Sequence, residues 1–369
     1  MTIRVLIVDD SRFICKRIRE ILEEEPDFKI VGVARNGKES VQMAAQLEPD
    51  VITMDVEMPV MDGISAVKAI MADCPTAILM FSASTHAGAK STLDALNAGA
   101  IDFLPKQLDD IDGNRETAKR LLRRRVRIVA LQSKRVQAQY RRKPVQAIRA
   151  LNKAKPAIKT SVPTAQTNVK PYRNNRRQVT NNLDLLVIVA STGGPVAIQK
   201  VLTQLTENCS FPVIIVQHMP HNFTKSFAER LNQLSKVKVK EAVDGDVLIA
   251  GEVFLAPGGM QMEIVSTSGK KKVTIREKQA AEIYSPCADI TLSSIAQVYS
   301  KNVLTVVLTG MGSDGKEGVV KLKQKQLFIW AQDEASCTIY GMPKAIVDSN
   351  LADKVYSLDE IANEFRKLC

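Results

Sequence analysis

Leu185-Leu186-Val187-Ile188-Val189-Ala190-Ser191-Thr192-Gly193-Gly194 is a run of six apolar residues that stops at two hydroxyls and turns through two glycines. An unbroken apolar run of this length, bounded by turn residues, reads as a strand buried on both faces. A strand that ends at Ser191 and turns into a helix presents a hydroxyl at the carboxyl edge of a sheet. Open α/β sheets bind ligands at that edge. Working outward, Val213 to Gln217, Val253 to Ala256, Val273 to Arg276, Val303 to Leu308 and Leu327 to Ala331 read as further strands. Helical patterns fall between them, over Val196 to Leu205, Thr224 to Ser235, Ile290 to Tyr299 and Gly315 to Lys323.

The same rhythm opens the chain. Val5 to Val8, Ile30 to Val33, Val51 to Met54, Ala77 to Phe81 and Ile101 to Leu104 read as strands, with helices such as Arg12 to Glu24 and Gly37 to Leu47 between them. The fold class is therefore α/β, with two doubly wound parallel-sheet domains. A chain of 369 residues accommodates two such domains. The expected boundaries are 1–120, a connector over 121–182, and 183–369.

The net charge of +11 belongs to the connector. No acid lies between Glu116 and Asp184, while 19 Lys and Arg do; without that +19 the rest of the chain stands at −8. The segment up to about Arg142 carries a loose apolar stripe (Leu121, Leu122, Val126, Val129, Val136) that could extend a helix. The remainder, rich in Lys, Pro, Thr, Asn and Gln, reads as a flexible basic linker. Without aromatic interleaving or a helix-turn-helix, the basic run argues against nucleic acid as a partner. No stretch of about 18 apolar residues predicts a membrane span. Six scattered cysteines with no Cys-x-x-Cys pair fit free thiols, and the expected compartment is the cytoplasm.

Two constellations carry chemistry. In the first, Asp9 and Asp10 follow the first strand, Asp55 the third, Ser82 the fourth and Lys106 the fifth. In a parallel sheet these ends share one edge. Crowded carboxylates need a cation, and hard oxygen ligands suit Mg²⁺. The ion with Lys106 would stabilise a phosphoryl group passed to Asp55, and Ser82 would bond a phosphoryl oxygen. In the second, Ser191 needs a base and the base an orienting acid. His86, His218 and His221 are the three histidines. His86 lies in the first domain. His218 directly follows a strand, as Ser191 does, and is preferred over the loop residue His221. The glycine-rich turn Thr309-Gly310-Met311-Gly312-Ser313-Asp314-Gly315 supplies Asp314 as the acid. Backbone amides near Met311 and at the helix start after Ser191, with Thr192 in support, could hold an oxyanion. No cofactor is expected at this second site.

Val8-Asp9-Asp10-Ser11, Met54-Asp55-Val56-Glu57-Met58-Pro59 and Ala98-Gly99-Ala100-Ile101-Asp102-Phe103-Leu104-Pro105-Lys106 resemble the receiver domain of two-component response regulators. The resemblance implies a flavodoxin-like fold, Asp55 as phosphoacceptor, Asp9, Asp10 and Asp55 around Mg²⁺, Phe103 at the aromatic switch position, and a sensor histidine kinase as donor. Gln107 stands where receivers usually carry proline. Ala190-Ser191-Thr192-Gly193-Gly194, Gln217-His218-Met219-Pro220, Leu308-Thr309-Gly310-Met311-Gly312-Ser313-Asp314-Gly315 and Ala331-Gln332-Asp333-Glu334-Ala335-Ser336-Cys337 resemble the catalytic domain of chemotaxis protein-glutamate methylesterases. That resemblance implies Ser191 as nucleophile, His218 as base and Asp314 as acid. The implied reaction is hydrolysis of glutamate methyl esters on chemoreceptors, with receptor glutamine deamidation beside it. Val189, Gln261, Ser285 and Cys287 depart from residues common in that family. A receiver joined to a hydrolase suggests that the unphosphorylated receiver covers the active-site edge. The competing reading is a degenerate regulator that only accepts phosphoryl groups.

Overall fold

The computed structural model describes residues 2–83, 85–106, 115–141 and 182–369. The first domain holds β1 (Ile3–Val8), α1 (Arg12–Glu23), β2 (Phe28–Ala34), α2 (Gly37–Leu47), β3 (Val51–Asp55) and α3 (Gly63–Asp73). β4 (Ala77–Ser82), α4 (His86–Ala98), β5 (Asp102–Pro105), α5 (Arg115–Ala130) and α6 (Ser133–Arg141) follow. Its strands form one parallel sheet in the order β2-β1-β3-β4-β5. The order reverses between β1 and β3, so the crevice at their carboxyl ends is where Asp9, Asp10 and Asp55 meet. The apolar runs that predicted β1, β3 and β4 are buried along their cores, as strands covered on both faces must be.

The second domain holds β6 (Leu185–Ala190), α7 (Gly194–Leu202), β7 (Val213–Gln217), α8 (His221–Leu234), β8 (Lys238–Glu241), β9 (Glu252–Leu255), β10 (Met260–Thr267) and β11 (Lys270–Glu277). It continues with α9 (Ala288–Val298), β12 (Val303–Val307), α10 (Lys316–Gln324), β13 (Phe328–Gln332), α11 (Met342–Asp348), β14 (Lys354–Tyr356) and α12 (Leu358–Leu368). Seven strands form a parallel sheet in the order β14-β13-β12-β6-β7-β9-β8. Here the order reverses between β6 and β12. That crevice lies beside Ser191 and the glycine-rich turn that leads to Asp314.

One expectation changes. The strand over Val273 to Arg276 is part of β11, and it does not join the parallel sheet. It pairs antiparallel with β10 as a separate hairpin, whose two-residue turn, Ser268-Gly269, has φ values of +51° and +75°. Positive φ at both turn residues matches the twist of a tight hairpin, which local pairing favours over a crossover. The segment after residue 120 opens as helix, as its apolar stripe suggested. It is helical to Arg141 apart from a turn at Leu131-Gln132, and Leu122, Val126 and Val129 of α5 are fully buried against the first domain. Several basic side chains of α5 are paired with acids of the first domain. Lys119 bonds Glu24 at 2.9 Å, Arg127 bonds Asp27 at 2.9 Å, and Arg123 also pairs with Glu24. The rest of the expected linker (142–181) and Gln107 lie outside the described residues.

Candidate active site and its receiver cover

Ser191 and His218 are neighbours because β6 and β7 are in register. Ala190 pairs with Gln217, so the next residue on each strand emerges at the same edge. The His218 N–H donates to Ala190 O at 3.1 Å, and Ser191 N–H to Thr309 O at 3.1 Å. The buried Gln217 amide donates to Ser191 O at 2.9 Å and to His218 O at 3.0 Å, tying the two strand ends together. Gly193 has φ +77°, which glycine adopts without strain, and a Cβ on Gly194 would lie 2.0 Å from Gln217 Oε1. Both glycines are therefore required by the turn that starts α7 behind the serine.

His218 Nε2 lies 2.6 Å from Asp314 Oδ2. That carboxylate also accepts from the backbone N–H groups of Ala288 (2.7 Å), Asp289 (3.0 Å) and Gly315 (2.9 Å), and from the Cys287 thiol at 3.1 Å. Burial opposes its charge, but the His218 hydrogen bond and charge and these amides outweigh burial and hold the Asp314 pKa at about 2. Burial, and then the Asp314 charge, push the Cys287 thiol up to about 12, so it is a donor and not a nucleophile. The Tyr284 ring stacks on His218, with centroids 4.5 Å apart and planes 8° from parallel. Among the described residues, no hydrogen bond joins Ser191 Oγ to His218, and the Met311 amide is engaged by no acceptor. His221 instead sets Nδ1 3.0 Å from Gly258 O.

The acidic site of the first domain brings Asp9, Asp10 and Asp55 together, with carboxylate oxygens within 4.8 Å of one another. Lys106 Nζ lies 2.6 Å from Asp55 and 3.0 Å from Asp9. Burial raises the Asp55 pKa, helped by the Asp9 charge and opposed by Lys106. Burial disfavours the Lys106 charge, yet Asp55 and Asp9 hold its ammonium above the ordinary value. Oxygen donors of this kind fit Mg²⁺, with Asp9, Asp10 and Asp55 as its holders. Ser82 is fully buried, and its hydroxyl donates to Gly88 O at 3.1 Å at the start of α4.

The two domains meet in a contact that the sequence did not display. Thr192, next to Ser191, donates its hydroxyl to Asp102 Oδ2 of β5 at 2.9 Å. Arg125 of α5 bonds both Asp102 and the Thr192 hydroxyl. Phe103 stacks on Phe223 of α8, with centroids 4.5 Å apart. Around this centre, Asp94 pairs with Arg230 at 2.6 Å and His86 with Glu229 at 3.1 Å. The β5–α5 edge of the first domain thus sits against the Ser191 turn.

Residues 186–365 match the family model described as CheB methylesterase, and residues 5–118 the response regulator receiver domain. A "Protein-glutamate methylesterase/protein-glutamine glutaminase of group 1 operon" from Pseudomonas putida is 51% identical over 100% of both chains. The chain belongs to the CheB methylesterase family. A Vibrio parahaemolyticus member is 50% identical over 98% of this chain and 97% of its own. The solved Thermotoga maritima CheB methylesterase catalytic domain is 34% identical, covers 51% of this chain and 100% of its own, with a TM-score of 0.49.

Of the four residues that the resemblance singled out as departures, Cys287 touches Asp314 directly. Gln261 is fully buried and takes the Cys287 N–H at 2.9 Å, while Ser285 precedes Pro286 on the same loop. Val189 is a buried residue of β6. The sequence analysis gave Arg125, Asp102, Gln217 and Tyr284 no role, and Arg125 and Tyr284 carry no sequence signal of their own. Arg125 is one arginine in a basic run, and Tyr284 does not end a strand. The one available hint was Asp102, an acid at the head of an apolar strand.

Proposed function

We propose that this protein hydrolyses glutamate methyl esters on chemoreceptors, releasing methanol, and that phosphorylation of Asp55 relieves inhibition by the receiver. The same site would deamidate receptor glutamines, since an amide carbonyl presents the same electrophile. The observation that carries the chemistry is Asp314: a fully engaged carboxylate aimed at His218, which stands beside Ser191.

With Nε2 facing Asp314, His218 Nδ1 is the nitrogen that takes the Ser191 proton as Oγ attacks the ester carbonyl. The developing oxyanion would be held by the Met311 amide and by the amides of the Thr192-Gly193 turn before α7, since Gly194 N–H already donates to Ser191 O at 2.8 Å and Pro195 has none. His218 then gives its proton to the departing methoxide, which leaves as methanol. Water attacks the resulting acyl-Ser191 by the reverse proton path and frees the glutamate. Asp314 keeps the imidazole oriented and stabilises its charged form. A Ser191–His218 hydrogen bond that closes only with substrate bound is common in such sites.

In the receiver, a histidine kinase is the donor and Asp55 the acceptor. Mg²⁺ held by Asp9, Asp10 and Asp55 would neutralise phosphoryl charge there, beside the Lys106 ammonium that contacts Asp9 and Asp55. We take the receiver to run through α5 and the catalytic domain to span 183–369, in a cytoplasmic protein; no helix among the described residues is long and apolar enough to cross a membrane. Docked as described, Asp102 and Arg125 occupy Thr192, where a receptor helix must approach. Phosphorylation needs to shift this docking by only a few kcal/mol.

Methanol release from cognate methylated receptor membranes tests the reading. Release that requires Ser191 and rises with a phosphodonor and Mg²⁺ is the expected result. No release from the wild type, with Asp55 still phosphorylated, would favour the degenerate regulator.

A further inference from the structure

The loop 282–287 is held with more care than a surface connection requires. Gln261, buried in β10, spends both ends of its amide on it: Nε2 donates to Tyr284 O at 2.7 Å and to Glu282 at 3.0 Å, and Oε1 accepts from Cys287 N–H. Glu282 is gripped in turn by Arg276, at 2.6 and 3.1 Å, and by the Gln279 N–H at 2.9 Å. Gly259 N–H donates to Ser285 O at 3.1 Å. Every one of these bonds is to a backbone group of the loop or to Glu282. They leave two side chains directed at the catalytic pair: the Cys287 thiol on Asp314 and the Tyr284 ring on His218.

A single hydrogen bond from Nε2 to Asp314 fixes one direction of the imidazole and leaves its plane free to rock about that bond. A proton acceptor for Ser191 must hold its plane as well as its direction, because small misplacements in an active site are costly in rate. An aromatic ring lying 8° from parallel on the imidazole supplies that second constraint. We propose that Tyr284, presented by the Gln261-anchored loop, is a positioning residue that sets the plane of His218 for proton transfer with Ser191. It acts through its ring face. The inference rests on the methylesterase reading above.

The test uses the full chain, methylated receptor membranes, and Tyr284→Phe against Tyr284→Leu. The Phe variant keeps the face and is expected within about threefold of wild type, while the Leu variant loses about 30-fold in kcat with KM within about twofold. Thermal midpoint and receiver phosphorylation should match wild type in both. A merely structural role would not separate kcat from KM or be rescued by Phe. A Leu variant at wild-type kcat overturns the proposal, and so does a Phe variant as slow as Leu, which would move the role to the hydroxyl. If the Leu variant fails to fold, Tyr284→Met, which fills similar space without a flat face, takes its place with the same expectation. Wild type that releases no methanol sinks the methylesterase reading and this inference together; Ser191-dependent release that is indifferent to Tyr284 sinks this inference alone.

Discussion

Asp55 and Asp314 are both buried carboxylates at the carboxyl edge of a parallel sheet, and their chemistry runs in opposite directions. Burial wins at Asp55, whose pKa is raised; its partners are Lys106 and a 3.4 Å contact from the Glu57 N–H. Burial loses at Asp314, which collects three backbone N–H donors, a thiol and an imidazole, and whose pKa is held at about 2. The number of donors, not the depth, decides the difference. An incompletely satisfied carboxylate, crowded by Asp9, is suited to accept a cation and a phosphoryl group. A fully satisfied one cannot react, and serves to orient the group that does.

The largest effect expected is at the nucleophile. Ser191→Ala should lower methanol release by about 10³-fold or more while leaving phosphorylation of Asp55 intact. If Asp314 only orients His218, Asp314→Asn should keep receptor binding but cost about 10³-fold in kcat, read from steady-state kinetics. A loss confined to KM would break the contrast drawn between the two aspartates.

The opposite experiment acts on the other carboxylate. Asp55→Asn, or removal of Mg²⁺ with a chelator, should abolish the stimulation by phosphodonor, of about tenfold, and spare the basal rate. A basal rate that also falls on chelation would mean that the two sites are not chemically separate. At the contact between domains, Arg125→Ala should raise the unphosphorylated rate about threefold and shrink the stimulation by the same factor. No rise would show that the docked receiver does not limit access.

The smallest effect is on stability. Asp314 has a folded pKa of about 2 against an ordinary 3.8, so its ionised form favours the folded state. That contribution is complete above about pH 4 and is lost as pH falls through about 2, and it is worth on the order of 2 kcal/mol. The urea-unfolding difference between wild type and Asp314→Asn should therefore shrink from pH 5 to pH 2. A difference independent of pH would assign the stability to packing.

The strand ends were legible because buried parallel strands are continuous apolar runs, and residues that follow them share one edge. From this rule the sequence alone places Asp9, Asp10, Asp55 and Lys106 together, and Ser191 beside His218. The stripe of Leu122, Val126 and Val129 suggested helix α5, but not its packing against the first domain, because the acidic partners of its arginines lie about 100 residues away. The β10–β11 hairpin was half seen, since Met262 and Ile264 alternate with polar residues too briefly to stand out. Tyr284 and Arg125 were invisible for a common reason. Each acts on a residue far off in sequence, and neither stands at a position that periodicity marks.

The shared grip of Asp102 and Arg125 on Thr192 carries an obligation that runs backward along the signal. If a docked receiver and a bound receptor exclude each other at that hydroxyl, the coupling between them is reciprocal. Whatever factor phosphorylation multiplies into receptor affinity, receptor occupancy must multiply into the equilibrium constant for phosphorylation. An enzyme already seated on its substrate would then hold its phosphoryl group more readily than one in free solution. The adaptation signal would concentrate where unmodified work remains, without any dedicated localisation element.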